Sequence, residues 1–197
     1  MISGLLPKFG RALLLPCLIA VSASVTAAGQ DVADLLAHVA ASVPAQVTFT
    51  ETRHSSFLDV PLVSTGVLRF SPPDRLVKEV HKPRWQRFVI DGSALRVDEK
   101  GQPSKTISLD RVPALRAFVE SFRAPLAGRL KDLEHFYQVT LTSSGDDWRL
   151  KLTPREPDLA RVVDSVEVSG AGAMLRRFTV TETDGNKTVL AIAEPSP

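Results

Sequence analysis

The sequence predicts an α+β fold: a run of antiparallel strands, each apolar on one face, with helices available to cover that face. Three observations carry this. First, the second half of the chain alternates. Trp148, Leu150 and Leu152 interleave with Arg149 and Lys151, Val166 and Val168 flank Glu167, and Phe178 and Val180 flank Thr179. Such strands bury one side and wet the other. Second, turn signals recur at short spacing, at Ser71-Pro72-Pro73-Asp74, Asp91-Gly92, Gly145-Asp146-Asp147, Ala171-Gly172 and Asp184-Gly185-Asn186, joining neighbouring strands as hairpins. Third, only two segments of the body, 31–43 and 112–133, carry apolar residues at helical spacing.

The chain opens with a secretory leader. Lys8 and Arg11 precede an apolar run over 12–21, and small residues follow from Ser22 to Gly29. This is the three-part pattern of a signal peptide, with cleavage expected after Ala27 and a single mature domain over 28–197. The apolar run is too short to remain in a bilayer as a spanning helix. Cys17, the one cysteine, follows Pro16 inside that run rather than at the cleavage point. It is not placed for lipidation, and the mature chain is left without disulfide or thiol chemistry. The full chain has 24 basic and 22 acidic side chains. Losing Lys8 and Arg11 leaves 22 of each, so no general attraction to nucleic acid or an anionic surface is implied.

The helix over 31–43 rests on Val32, Leu35, Leu36, Val39 and Ala40, and Pro44 ends it. Strands are expected at 47–52, 63–70, 75–81, 86–90 and 94–97, with Gly66 at a bend or bulge. The segment 112–133 is helical, with Leu115, Phe118, Val119, Phe122 and Leu126 on one side, and Pro125 is expected to split it. Strands resume at 136–141, 148–153, 162–168, 175–183 and 187–193, and the tail 194–197 frays. The sum is a curved sheet, apolar inside and wet outside.

Chemistry-bearing motifs are few. His38, His54, His81 and His135 have no metal-ligand spacing, and no Gly-x-Ser-x-Gly elbow or calcium loop occurs. The reading is of a binding protein rather than an enzyme, with no catalytic residue, metal or cofactor. The segment Lys82-Pro83-Arg84-Trp85-Gln86-Arg87 sets three basic residues around an aromatic. It reads as contact with an anionic partner or as an exposed hairpin end anchored by Trp85. The stripe Leu115, Phe118, Val119, Phe122 reads as core or as a lid over an apolar cavity.

An ordered set of segments resembles the LolA-type periplasmic carriers of outer-membrane lipoproteins. Val47-Thr48-Phe49-Thr50-Glu51 is similar to that family's first strand. Gly66-Val67-Leu68-Arg69-Phe70-Ser71-Pro72-Pro73-Asp74 is similar to its Gly-x-Leu strand and proline turn. Pro83 with Phe88-Val89-Ile90-Asp91-Gly92, the hairpin from Phe136 through 148–154, and the closing strands of 166–184 follow in the same order.

The resemblance implies an incomplete antiparallel β-barrel closed by helices over an apolar cavity, in a periplasmic monomer. It implies a carrier that binds the acyl chains of a lipoprotein or other lipid, taken from an inner-membrane exporter and passed to an outer-membrane acceptor. The cavity would be faced by Leu68, Phe70, Phe88, Ile90, Leu150, Leu152, Val166, Val168, Phe178 and Val180 from the sheet. Leu115, Phe118, Val119 and Phe122 would cover it from the helical insert. One departure stands out. The family's lid-holding arginine, just before the turn proline, is replaced here by Pro72. Arg69 or Arg75 are the candidates to take its place, and Arg84, Trp85 and Arg87 are candidate lid or partner contacts. The alternative role is a non-carrier envelope module of the same fold, an assembly factor or stress sensor acting through a protein partner.

Overall fold

The structure is a computed structural model that describes residues 27–56 and 59–193. Residues 1–26 of the expected leader (1–27), Cys17 among them, and the tail 194–197 lie outside the described residues. Eleven strands make one sheet: β1 (Gln46–His54), β2 (Leu62–Ser71), β3 (Arg75–Lys82), β4 (Gln86–Asp91), β5 (Ala94–Glu99), β6 (Lys105–Ser108), β7 (Tyr137–Ser144), β8 (Asp147–Pro154), β9 (Val163–Ala171), β10 (Met174–Glu182) and β11 (Lys187–Ile192). The helices are α1 (Ala27–Ser42), α2 (Pro113–Leu126), α3 (Leu130–Phe136) and a single turn, α4 (Pro157–Ala160).

The strand order is β6-β5-β4-β3-β2-β1-β11-β10-β9-β8-β7, and all neighbours are antiparallel. Every strand pairs with its neighbour in sequence except β6 and β7, and one further pair joins the ends of the chain. β1 also pairs with β11, so the first and last strands meet in the middle of the sheet. β6 and β7 are consecutive in the chain but lie at opposite edges, and the chain passes between them through a short turn of 3₁₀ helix, α2 and α3. The sheet is therefore an open half-barrel, as expected, and the helical insert links its free edges.

Register sets the inner face. Leu150, Val168, Phe178 and Leu190 lie in one cross-strand row. Leu152, Val166 and Val180 lie in the next. Phe70, Leu76, Ile90 and Leu95 form a row in the other half. Cross-strand neighbours on one face are the packing unit of a sheet, so these rows form two apolar patches. One patch joins α1 (Leu36, Val39) and α2 (Ala117, Ala124) to the β8–β11 half. The other joins Val119 and Leu126 of α2 to Phe70, Leu76, Ile90 and Leu95. Helix α2 thus packs against both halves of the sheet.

Gly66 stands where the β2–β3 register shifts. A Cβ there would lie 1.9 Å from the Glu79 carbonyl oxygen and 3.0 Å from the Phe49 ring, so only glycine fits.

Two short elements escape the sequence patterning: β6, four residues on an edge, and α4, whose start is capped by the Glu156 carboxylate accepting from the Leu159 N–H at 2.6 Å. The expected break at Pro125 is also displaced. Pro125 stays inside the last turn of α2, and the break falls at Gly128, which has φ +70°. There Arg129 N–H bonds the Ala124 carbonyl at 2.9 Å and Gly128 N–H bonds the Pro125 carbonyl at 3.3 Å. This is the paired closure of a Schellman motif, which wants a left-handed residue and so selects glycine.

Candidate functional site

An apolar cleft of about 200 Å³ opens at the end of the half-barrel that carries the β2–β3 and β9–β10 turns. Its floor is Leu68, Phe70 and Phe178 on the sheet. Its walls are Leu126 at the end of α2, the Val43-Pro44 link after α1, and Leu175 on β10. Sheet pleating places the floor residues on the inner face. The half-exposed Met174 sits on the same hairpin as Leu175.

Next to the cleft, α2 fills the concave face. Phe118 and Phe122 pack edge to face at 5.2 Å between ring centroids, and Phe122 lies 4.9 Å from Phe178. Val119 is buried, and Leu115 packs against the same apolar patch. The Tyr137 hydroxyl, fully buried, donates to the Ala117 carbonyl at 2.8 Å and ties the helix to β7.

A charged clasp holds the C-terminal end of α2 to the sheet. Arg123 is buried and makes an ion pair with Glu120 one turn earlier, also buried. Its Nη1 donates to the Gly92 carbonyl at 2.6 Å and to the Asp74 carbonyl at 3.3 Å. Those carbonyls belong to the β4–β5 and β2–β3 turns, at the same end as the cleft. Arg129, in the link to α3, donates to Asp74 Oδ1 at 2.6 Å and pairs with Asp132 at 3.0 Å. Each arginine therefore stitches the helical insert to a barrel turn. Sequence reasoning missed both. The available signal was Arg123 at i+4 from Val119, a charge standing in the apolar stripe.

The arginines put forward from sequence lie elsewhere. Arg69 and Arg75 alternate with Phe70 and Leu76, so pleating turns them to the outer face. There Arg69 pairs with Gln46 at 2.8 Å and Glu79 at 3.2 Å, and Arg75 with Asp91 at 3.6 Å. Neither takes the place of the missing lid arginine; the clasp runs the other way, from the helix to the barrel. Arg84 is exposed at the β3–β4 turn. Trp85 and Arg87 join the outer-face network. Burial pushes the Glu79 carboxyl up, but hydrogen bonds from Arg69, His81 and Trp85 outweigh it and hold it below its ordinary 4.5. Arg87 stands across from Glu79 on one side and Asp98 on the other. Hydrogen bonds from Ser104 and Arg96 keep Asp98 below its ordinary 3.8.

Of the sheet residues expected to face a cavity, Leu68, Phe70 and Phe178 border the cleft. Phe88 and Ile90 pack under α2. Leu150, Leu152, Val166 and Val168 are at 0% exposure, and Val180 is buried beside them. In that half the concave face is solid core rather than open space, because α1 and α2 already cover it. The inner face is also not wholly apolar. Lys78 pairs with Glu51 and lies 5.3 Å from the Phe49 ring centre, and Gln86 donates to Glu99 at 3.2 Å.

The description "Outer membrane lipoprotein carrier protein LolA-like" belongs to the family model that matches residues 23–195. The chain belongs to that LolA-like family. Among solved structures it is similar to a LolA superfamily protein, NE2245 from Nitrosomonas europaea, at 11% identity and a TM-score of 0.48, covering 87% of this chain and 96% of that one. It is similar to LprF from Mycobacterium bovis at 10% identity and a TM-score of 0.34, over 86% and 96%. MucB, solved in complex with MucA, matches at 15% identity and a TM-score of 0.39, over 86% of this chain and 57% of that one. No curated protein matches the sequence. No helix among the described residues of this LolA-like chain is long and apolar enough to cross a membrane.

Proposed function

We propose that the protein is a periplasmic carrier that takes acyl chains of a lipoprotein or other lipid between its sheet and α2. It would receive them from an inner-membrane exporter and release them to an outer-membrane acceptor. The observation that carries this reading is the apolar cleft walled by the end of α2, which Arg123 and Arg129 clasp to two barrel turns. Burying a methylene contributes about 0.8 kcal/mol, and a dry surface is what an acyl chain needs. The cleft, at about 200 Å³, is smaller than the roughly 300–1,000 Å³ of ligand pockets. Loading then requires α2 to shift outward, exchanging Phe118 and Phe122 for cargo and breaking the Arg123 and Arg129 contacts. The chain needs no catalytic group for this: cargo leaves when a better apolar site competes for it.

The test is binding of a fluorescent fatty-acid probe to the mature protein. Leu68 is half-buried on the cleft floor, so Leu68→Asp places a charge there at modest cost to the fold. The variant is expected to lose probe binding by tenfold or more, from about 1.4 kcal/mol per decade of affinity. Wild-type binding by a folded Leu68→Asp would defeat the assignment.

A further inference from the structure

The sheet ends at two free edges, β6 and β7, and they are built differently. β6 is four residues long and opens on Lys105. A short edge strand with a charge on it is a poor template for another chain. β7 runs for eight residues, from Tyr137 to Ser144, with no charge, proline or glycine. It pairs with β8 in unbroken register. It lacks the charge, proline or bulge that blunts an exposed edge.

Register identifies the free backbone groups. In an antiparallel pair, residues bonded to the neighbour alternate with residues whose N–H and C=O point away. Arg155 N–H donates to the Phe136 carbonyl at 2.7 Å, which makes these two a bonded pair and fixes the phase. Tyr137 stands opposite Pro154 and Gln138 opposite Thr153, so Gln138, Thr140, Thr142 and Ser144 bond β8. The N–H and C=O groups of Val139, Leu141 and Ser143 point off the edge. No backbone bond from a turn, loop or cap among the described residues reaches them.

The side chains near this edge are sorted by face. Val139 and Leu141 point inward and are half-buried at the border of the core. On the outer face two cross-strand rows lead away from β7. Thr142, Arg149 and Arg177 lie in one, and Thr140, Lys151 and Glu167 in the other. Arg149 engages Glu167 at 3.1 Å, and Lys151 makes no ion pair among the described residues. A strand added beyond β7 lies two inter-strand spacings, about 10 Å, from β8. Thr140 and Thr142, between them, are short. A cation reaching out from β8 and a carboxylate reaching in can meet above them.

From this regular, unpaired edge and the cations one strand behind it, we infer that β7 docks an extended segment of a partner polypeptide in which acidic residues alternate with apolar ones. The segment adds to the sheet as a further strand. Its main chain takes the free groups of Val139, Leu141 and Ser143. Its apolar side chains extend the inner face beside Val139 and Leu141, and its carboxylates meet Lys151 and Arg149. A second copy of this chain fits worse, because β7 against β7 adds another basic strand and no carboxylate at the edge. The site lies apart from the cleft and does not depend on the acyl reading.

The experiment follows the fluorescence anisotropy of a dye-labelled synthetic peptide, as long as β7 and alternating valine with glutamate, titrated with the mature protein. The peptide is expected to bind, and the same peptide with lysine for glutamate to bind about fivefold more weakly, the scale of one or two partly exposed charge pairs. High salt shrinks that difference. Lys151→Gln narrows it as well. N-methylation of alternate peptide amides abolishes binding in one phase and spares it in the other, as strand pairing requires. Ser143 is exposed and its N–H points off the edge, so Ser143→Pro removes a donor to the partner and no bond within the sheet. That variant is expected to lose tenfold or more in affinity. Failure of the wild type to bind the glutamate peptide overturns the inference, as does equal affinity for the lysine peptide. So does binding that survives methylation in both phases, a test that needs no altered protein. A wild-type dimer in sedimentation that Ser143→Pro abolishes would give the edge to a second copy and overturn it too.

Discussion

Tyr137 is the only tyrosine in the chain, and its side chain is wholly buried. Ala117 lies within α2 and keeps its helical donor, so losing the Tyr137 hydrogen bond through Tyr137→Phe is expected to cost only about 1 kcal/mol at neutral pH. Burial pushes the phenol well above its ordinary 10.0. The folded state therefore holds the neutral form, and the stability tied to it is fully present below pH 10.0 and drains away as the pH rises beyond it. Tyr137→Phe should lose less stability over that alkaline range than the wild type. Denaturant melts at neutral and alkaline pH check the sign. Tyrosinate absorbance adds a second check: ionisation should accompany unfolding, and titration near the ordinary value in an intact fold would contradict the buried assignment.

At the scale of elements, α2 is held to the sheet by apolar contact along its length and by charge at its end. The buried Glu120–Arg123 pair is costly to break from one side, because the buried Glu120 is left with only the longer Arg129 contact at 3.7 Å. Arg123→Met is expected to destabilise the protein by about 3–4 kcal/mol for that reason. Replacing Glu120 by Leu in the same chain should return much of the loss, because neither partner then remains. Urea unfolding of the three variants reads this directly, and a double variant no more stable than the single one would refute the pairing. If α2 must move for cargo to enter, the double variant should also bind the acyl probe faster. The close approach of the α2–α3 link to α1 is set by Gly128, where a Cβ would stand 3.2 Å from the Ala40 methyl.

On the scale of the whole molecule, the pairing of β1 with β11 decides the architecture. Without it the sheet would fall into two separate pieces, β6 to β1 and β11 to β7. The contact joins residues as distant as Phe49 and Ile192, and such long-range pairing carries a loop-closure cost before it is rewarded. Truncation after Asn186 removes β11. It also strips Leu190 from the row that includes Phe178. The truncated chain is expected to lose cooperative unfolding altogether, as read by circular dichroism during a denaturant titration. A sharp transition of undiminished size would mean that the halves fold independently.

What the sequence determined by itself is the set of elements and the side each one buries. Period-two alternation is a local property, so Leu150, Leu152, Val166, Val168, Phe178 and Val180 could be assigned to one inner face without knowing their neighbours. The register later aligned them in rows. Short elements such as β6 and α4 were illegible because four residues hold too little periodicity. The break in α2 was misplaced because proline is a strong local signal, whereas the value of Gly128 depends on a closing pair of backbone bonds. Only the tertiary structure decided what fills the concave face. Whether an inward leucine lines a void or meets another side chain depends on where α1 and α2 come to rest. That is why Leu68 borders a cleft while Leu150 lies in solid core. The clasp was likewise undecidable in advance. Arg123 bonds to main-chain carbonyls of Asp74 and Gly92, and a carbonyl leaves no mark in a sequence.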